Sequence, residues 1–170
     1  MSEQPRRILG EEKTLLALSR AEEHRDIALE MAQQGRQSLC IFTWDLDPFQ
    51  YDNQPFYRAA FDLARRSARS EVRILVQDST RAVKDGHRLV DLAQRFSSKV
   101  AIHKPPQEYA QRIDAFMVID GTGYLRRPQA DRYEGAACFN DPPTARELMK
   151  FFNEVWERSH VDPQLRRLHL

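Results

Sequence analysis

The side chains able to do chemistry in this sequence collect at the ends of short apolar runs. Trp44, Asp45 and Asp47 follow SLCIFT, Asp78 and Ser79 follow EVRILVQ, and His103 with Lys104 closes KVAIH. In one reading His103 is a nucleophile or base, Lys104 is the cation beside it, and Asp120, which ends IDAFMVID ahead of Gly121, orients the imidazole. The plainer reading is a strand-end His and a solvated Lys, with two prolines following at once. His87, in DGHRLV, stands at a helix start, where the dipole disfavours the imidazolium and leaves a neutral ring suited to act as a base. Its plainer role is a bond to local backbone, and an Asp before Gly in a tight turn likewise needs no role beyond bonding its own backbone. The ligand-binding candidates are therefore Trp44, Asp45, Asp78, His87, His103, Lys104 and Asp120, and no residue is assigned as catalytic.

The elements that must position these groups follow from periodicity. The chain is expected to turn helical from Glu11, Leu15 and Leu18 opening a stripe that Ile27, Ala28, Met31 and Ala32 continue up to a C-cap at Gly35, with a break near Ser19. Ser38 to Trp44 reads as a buried strand, Asp45 to Asn53 as a loop, and Pro55 opens a helix carrying Phe56, Ala59, Ala60, Leu63 and Ala64. Glu71 to Gln77 is a second strand, Asp78 to Asp85 a loop, His87 to Phe96 a helix and Lys99 to His103 a third strand. Ala115 to Ile119 is a fourth, turning through Asp120-Gly-Thr-Gly123 into Tyr124 to Arg127, and Ala136 to Phe139 returns as a further strand. A last helix follows Asp141, with Thr144 and Glu147 in capping-box spacing and an apolar face of Ala145, Leu148, Met149, Phe152, Val155 and Trp156. Strands alternating with helices, then a hairpin, define a single α/β domain with a mixed sheet over residues 11–160, between a flexible N-terminus (1–10) and a C-terminal tail (161–170).

The run IDAFMVIDG resembles the His-x-Lys-x4-Asp strand of the phospholipase D superfamily, of which a typical member reads HxKFMVIDG. With Asp120 in the Asp position, Ile113 stands where the nucleophilic His belongs and Ala115 where the phosphate-binding Lys belongs. Ile has no lone pair and Ala no charge, so the resemblance implies the fold without covalent phosphoryl transfer on this strand. The likeness extends further: IFTWDLDPFQYDNQPFYRAAFDLARR followed by EVRILVQD is similar to the family's first βαβ unit, and ARELMKFFNEVWERS resembles its closing helix, so that roughly residues 20 to 160 are covered. The family builds its site from two motif copies, and a chain with one copy implies a homodimer. A small anionic or phosphorylated ligand, or a protein partner, is the implied occupant of an inactive member; the alternative is a phosphodiesterase working through His103 or His87 with Asp78 or Asp120.

Composition sets the outer limits. A chain of 170 residues, 41% hydrophobic, suits one core. Lys+Arg 26 against Asp+Glu 25 leaves a formal charge of +1, so no global field draws nucleic acid or anionic lipid. Arg65, Arg66, Arg69, Arg126, Arg127, Arg166 and Arg167 could still form a phosphate-tracking face, but without interleaved aromatics the signal is weak and nucleic acid is not the expected partner. Cys40 and Cys138 lie in apolar runs as small hydrophobes, and no Cys-x-x-Cys or His-x-x-x-His pair suggests a metal; no cofactor is expected. With no signal-like or membrane-length apolar run, a soluble cytoplasmic protein is the expectation.

Overall fold

The computed structural model describes residues 7–166, apart from the side chain of Arg166. In chain order its elements are β1 (Leu16–Leu18), α1 (Ala21–Gln34), β2 (Ser38–Thr43), α2 (Pro48–Tyr51), α3 (Gln54–Ala64), β3 (Glu71–Val76), α4 (Thr80–Lys84), α5 (Arg88–Arg95), β4 (Val100–Lys104), β5 (Ala115–Ile119), β6 (Gly123–Arg127), β7 (Gly135–Cys138), α6 (Pro142–Arg158), β8 (His160–Val161) and α7 (Pro163–Arg166). The strands form one mixed sheet in the order β1-β7-β6-β5-β2-β3-β4-β8. Only β2, β3 and β4 are parallel, with Leu39 opposite Val72 and Val72 opposite Val100; every other neighbouring pair is antiparallel.

Alternation along β2 explains why it is apolar throughout: Leu39 and Ile41 point to one face, Cys40 and Phe42 to the other, and all four are buried. On the first face Ile27, Ala28 and Met31 of α1, Phe56, Ala60 and Leu63 of α3 and Leu89 and Leu92 of α5 pack over Ile74, Met117 and Ile119. On the second face α6 lays Ala145, Phe152 and Val155 over Phe42, Leu75, Phe116 and Val118, with Tyr109 packed beside them. Both cysteines are free and buried on this second side, and burial pushes the Cys40 thiol up to about 11, which suits packing rather than reaction. Among the described residues no helix is long and apolar enough to cross a membrane.

Several boundaries differ from those read in the sequence. The stretch expected to begin a helix at Glu11 instead forms β1 on the sheet edge, pairing Leu16 with Ala137 and Leu18 with Gly135, and α1 starts only at Ala21. The suspected break near Ser19 is the boundary between them, and Leu15 points to solvent because it precedes the paired residues. Part of the N-terminus expected to be loose is tied down: Arg7 pairs with Glu30 at 2.9 Å, and the Gly10 amide donates to Phe139 O at 2.9 Å. Residues 1–6 lie outside the described residues. The last helix begins at Pro142, capped by the Asp141 carboxylate accepting from Thr144 N at 3.2 Å, so the capping-box pair Thr144 and Glu147 lies inside the helix. Short helices α2 and α4 occupy the two expected loops, and the tail contributes to β8 and supplies α7; Arg167 lies outside the described residues.

Candidate functional site

The carboxyl ends of β2, β3 and β4, the start of β5 and the end of β6 meet at one end of the sheet. Trp44, the residue after β2, is 44% exposed there and forms a wall common to two hollows. One, of about 430 Å³, lies among Asp45, Asp78, Thr80, Arg81, Lys84 and Asp85. The other, of about 470 Å³, lies among Gln77, Lys104, Pro105, Pro106, Gln107, Ala110, His160 and Pro163. Arg81 is tied to Asp45 at 3.2 Å, while Lys84 and Lys104 make no ion pair among the described residues. The Asp78 carboxyl is held below its ordinary range by hydrogen bonds from Thr80, whose amide is 3.0 Å away. Five of the expected residues, Trp44, Asp45, Asp78, Lys104 and, at the rim, His103, therefore share this end.

Beneath the start of β5 is a buried polar cluster that sequence reasoning missed apart from Asp47 and Arg127. Arg127 ends β6 directly opposite Ala115, and its Nη1 is 3.2 Å from Asp47 Oδ2. Tyr133 Oη donates to the same Asp47 oxygen at 3.1 Å, while Asp47 Oδ1 accepts from Phe49 N at 3.0 Å. His24, in the first turns of α1, is fully buried and donates from Nε2 to Tyr133 O at 2.6 Å. Burial holds the His24 pKa below its ordinary value, with Arg127 adding to the effect, which favours the neutral ring, and Nδ1 has no protein partner among the described residues. Burial likewise raises the Tyr133 phenol, and Asp47 raises it further. The space left among His24, Thr43, Gln50, Ala115 and Arg127, with Asp47 paired to Arg127, is about 10 Å³, room for one water.

The remaining candidates have structural partners. His87 is buried; its Nδ1 accepts from Leu89 N at 3.1 Å as the cap of α5, and its Nε2 donates to Leu46 O at 3.1 Å. His103 stacks on Trp156, 4.0 Å between centroids and 3° between planes. Ser159 Oγ gives its proton to Trp156 O at 2.6 Å, so His103 Nδ1 is the donor in its 2.9 Å bond to that hydroxyl. Asp120 lies at the opposite end of the sheet from His103, where its carboxylate accepts from the amides of Arg36 (2.9 Å), Gln37 (2.8 Å) and Ser38 (3.0 Å). The pairing of Asp120 with His103 is therefore not formed, because β5 runs antiparallel to β2 and carries its last residue away from the carboxyl ends of the parallel strands. Arg65, Arg66 and Arg69 belong to that far end too, so they share no face with Arg126 and Arg127; Arg65 pairs with Asp62, and Arg126 with Asp114. His160, opposite Lys104 on β8, lines the second hollow and carried no periodic or motif signal. Among the described residues no group of three His, Cys, Asp or Glu is placed to hold a metal ion.

A mixed sheet with helices on both faces and a cleft at this end defines a phospholipase D-like fold. The chain belongs to the family described as a domain of unknown function, DUF7931, whose model matches residues 20–168. Nuc of Salmonella typhimurium, a phospholipase D family member, superposes with a TM-score of 0.59 at 13% identity over 88% of this chain and 97% of that one. NucT of Helicobacter pylori gives 0.60 at 11% identity over 88% and 98%. TrmBL2, an archaeal chromatin protein with a novel mode of DNA binding, gives 0.65 at 13% identity over 95% of this chain, which spans 56% of that protein's length. At these identities the likeness is one of fold. No curated protein matches the sequence.

Proposed function

We propose that this domain is a phospholipase D-fold module without phosphodiesterase activity, binding a small anionic ligand or a protein partner at the carboxyl end of its parallel strands. The observation that carries this reading is the neutralised cation opposite Ala115. Phosphoryl transfer needs a nucleophile within reach of phosphorus and unpaired positive charge for the developing oxyanion. Here Ile113 is 64% exposed and Ala115 is buried, neither offers such a group, and Arg127 across the ladder is matched by Asp47. Ile113, Trp44 and Phe49 leave apolar surface exposed, and a second copy of the chain is the partner this reading expects there.

Release of 4-nitrophenolate from bis(4-nitrophenyl) phosphate tests inactivity: the wild type should not exceed buffer. Turnover lost in His103→Ala or His160→Ala would replace this reading with that of an enzyme whose site has moved. Native mass spectrometry of gently isolated protein tests the binding role, the expected species being a dimer or a chain carrying a retained anionic mass.

A second reading, nucleic-acid binding, is favoured by the fold likeness to TrmBL2, which binds DNA. It requires affinity for duplex DNA that falls steeply as salt is raised. The ion pairs that occupy Arg81, Arg126 and Arg127 weigh against it.

A further inference from the structure

The Asp47 carboxylate lies between a guanidinium and a phenol. It is held by Arg127 Nη1 at 3.2 Å and by the Tyr133 hydroxyl at 3.1 Å, and the guanidinium carbon lies 4.8 Å from the centre of the Tyr133 ring. The side chains of Arg127 and Asp47 are 7% and 11% exposed, so the guanidinium is shielded from bulk water. A shielded guanidinium fork with a phenol donor and an aromatic wall is suited to oxyanions generally, and a phosphate oxygen competes for the same hydrogens as a carboxylate oxygen.

The backbone beside this pair is strained. Leu46, immediately before Asp47, has φ 59°, in the left-handed region that a leucine rarely adopts. It is fully buried and held on both sides, its amide donating to Thr43 Oγ1 at 3.1 Å and its carbonyl accepting from His87 Nε2 at 3.1 Å. Strain of this kind persists only where the surroundings over-determine it. Leu46 directly precedes Asp47, whose carboxylate meets Arg127 and Tyr133.

We propose that Arg127 and Tyr133 form a receptor for a phosphate or phosphoryl group whose resident occupant is the Asp47 carboxylate, so that an external phosphate binds only by displacing Asp47. A tethered carboxylate competes at high effective concentration, which keeps the affinity of the intact protein low. The receptor uses none of the motif positions Ile113 and Ala115, and a binding measurement tests it separately from any assay of turnover.

Inorganic phosphate is titrated calorimetrically against wild type, Asp47→Gly and Asp47→Ser, with chloride at matched ionic strength as the control. The serine variant keeps an oxygen able to accept from Phe49 N and serves if the glycine variant does not fold. The expected result is phosphate affinity at least about tenfold higher in the variants than in wild type. Combining either with Arg127→Gln should abolish the gain, and this double variant leaves no buried unpaired charge that would unfold it. Equal affinity in wild type and variants, absence of binding in all, or a gain that survives Arg127→Gln would each overturn the proposal.

Discussion

Replacing Asp120 should unfold the protein at lower denaturant, and the size of the effect follows from its geometry. Its carboxylate is the common acceptor for three successive amides, Arg36, Gln37 and Ser38, at 2.8 to 3.0 Å, and so shapes the turn between α1 and β2. A hydrogen bond to a charged acceptor is worth roughly 1.5–3 kcal/mol where water cannot replace it. Arg36 and Gln37 are exposed and would be rehydrated, whereas Ser38 is half-buried, so the three together come to about 3 kcal/mol rather than their full sum. Asp120 also has φ 55°, which an alanine tolerates at a further penalty of about 1 kcal/mol. Asp120→Ala should then lose about 4 kcal/mol, which for a chain of this size lowers the midpoint of thermal unfolding by roughly 10 °C. Asp120→Gly sheds the φ penalty and should lose about 3 kcal/mol; Asp120→Asn, with one acceptor oxygen and tolerance of positive φ, about 2 kcal/mol. Equilibrium unfolding in urea, with an unchanged slope, gives the order wild type, Asn, Gly, Ala. An alanine variant within about 1 kcal/mol of wild type, or a glycine variant less stable than alanine, would refute the reasoning.

Other perturbations have equally definite outcomes. Gly135→Ala should destabilise by about 2 kcal/mol or more, because the added carbon would lie 2.3 Å from the Arg126 carbonyl oxygen and 2.9 Å from His24 Cε1, and the β6–β7 ladder cannot yield; urea unfolding measures it. His24, His87 and His103 all have pKa values lowered, chiefly by burial. The unfolded chain therefore binds more protons just below their ordinary value of about 6.5, and stability, complete above that pH, should fall as pH drops through it toward the lower folded values. The urea midpoint should be lower at pH 5.5 than at pH 7.5, a range that stays above the titration of Asp52 and Asp78, whose lowered pKa values remove stability only in stronger acid; a flat profile would contradict the burial of these imidazoles. Trp44→Ala should leave stability within about 1 kcal/mol of wild type, its ring being exposed, while removing the most iodide-quenchable part of the tryptophan fluorescence.

How much of this was legible in the sequence depended on whether the cause was local. The strand Ala115 to Ile119 and its turn were readable because apolar spacing and Asp-Gly chemistry lie in adjacent residues, and Asp120 and Gly121 do take positive φ. The end of α1 was read from Gly35, yet its φ of −62° needs no glycine; an added carbon there would meet Leu63 Cδ1 at 2.5 Å, a reason that appears only once α3 is packed. β1 was misread because Leu15 and Leu18 fit a helical stripe, while the pairing partner that decides the matter, β7, lies more than a hundred residues on. The cluster of His24, Asp47, Arg127 and Tyr133 was invisible for the same reason: its members come from four separate segments and share no spacing. His103 and Asp120 were grouped by residue type, and strand direction then set them at opposite ends.

Strand direction and charge pairing together decide what the carboxyl end of the sheet can do. A nuclease site must hold a dianionic transition state, so its cations have to be left unmatched by the protein. At this end Arg81 faces Asp45 and Arg127 faces Asp47, while Asp78 and Asp85 add negative charge beside Lys84. A diester approaching from solvent would meet Trp44, prolines and self-neutralised arginines, with only Lys84 and Lys104 unpaired among the described residues of the two hollows. For the proposed ligand such a surface offers contact rather than long-range attraction: an exposed indole, Pro105, Pro106 and Pro163 as rigid apolar shape, and His160 and Gln107 as polar groups. If the proposed ligand binds here, its affinity should respond weakly to salt, whereas the proposed occupation of Arg127 by an outside phosphate should respond to replacement of Asp47. The two dependences would separate the proposed recognition at the cleft from the proposed exchange in the cluster beneath it.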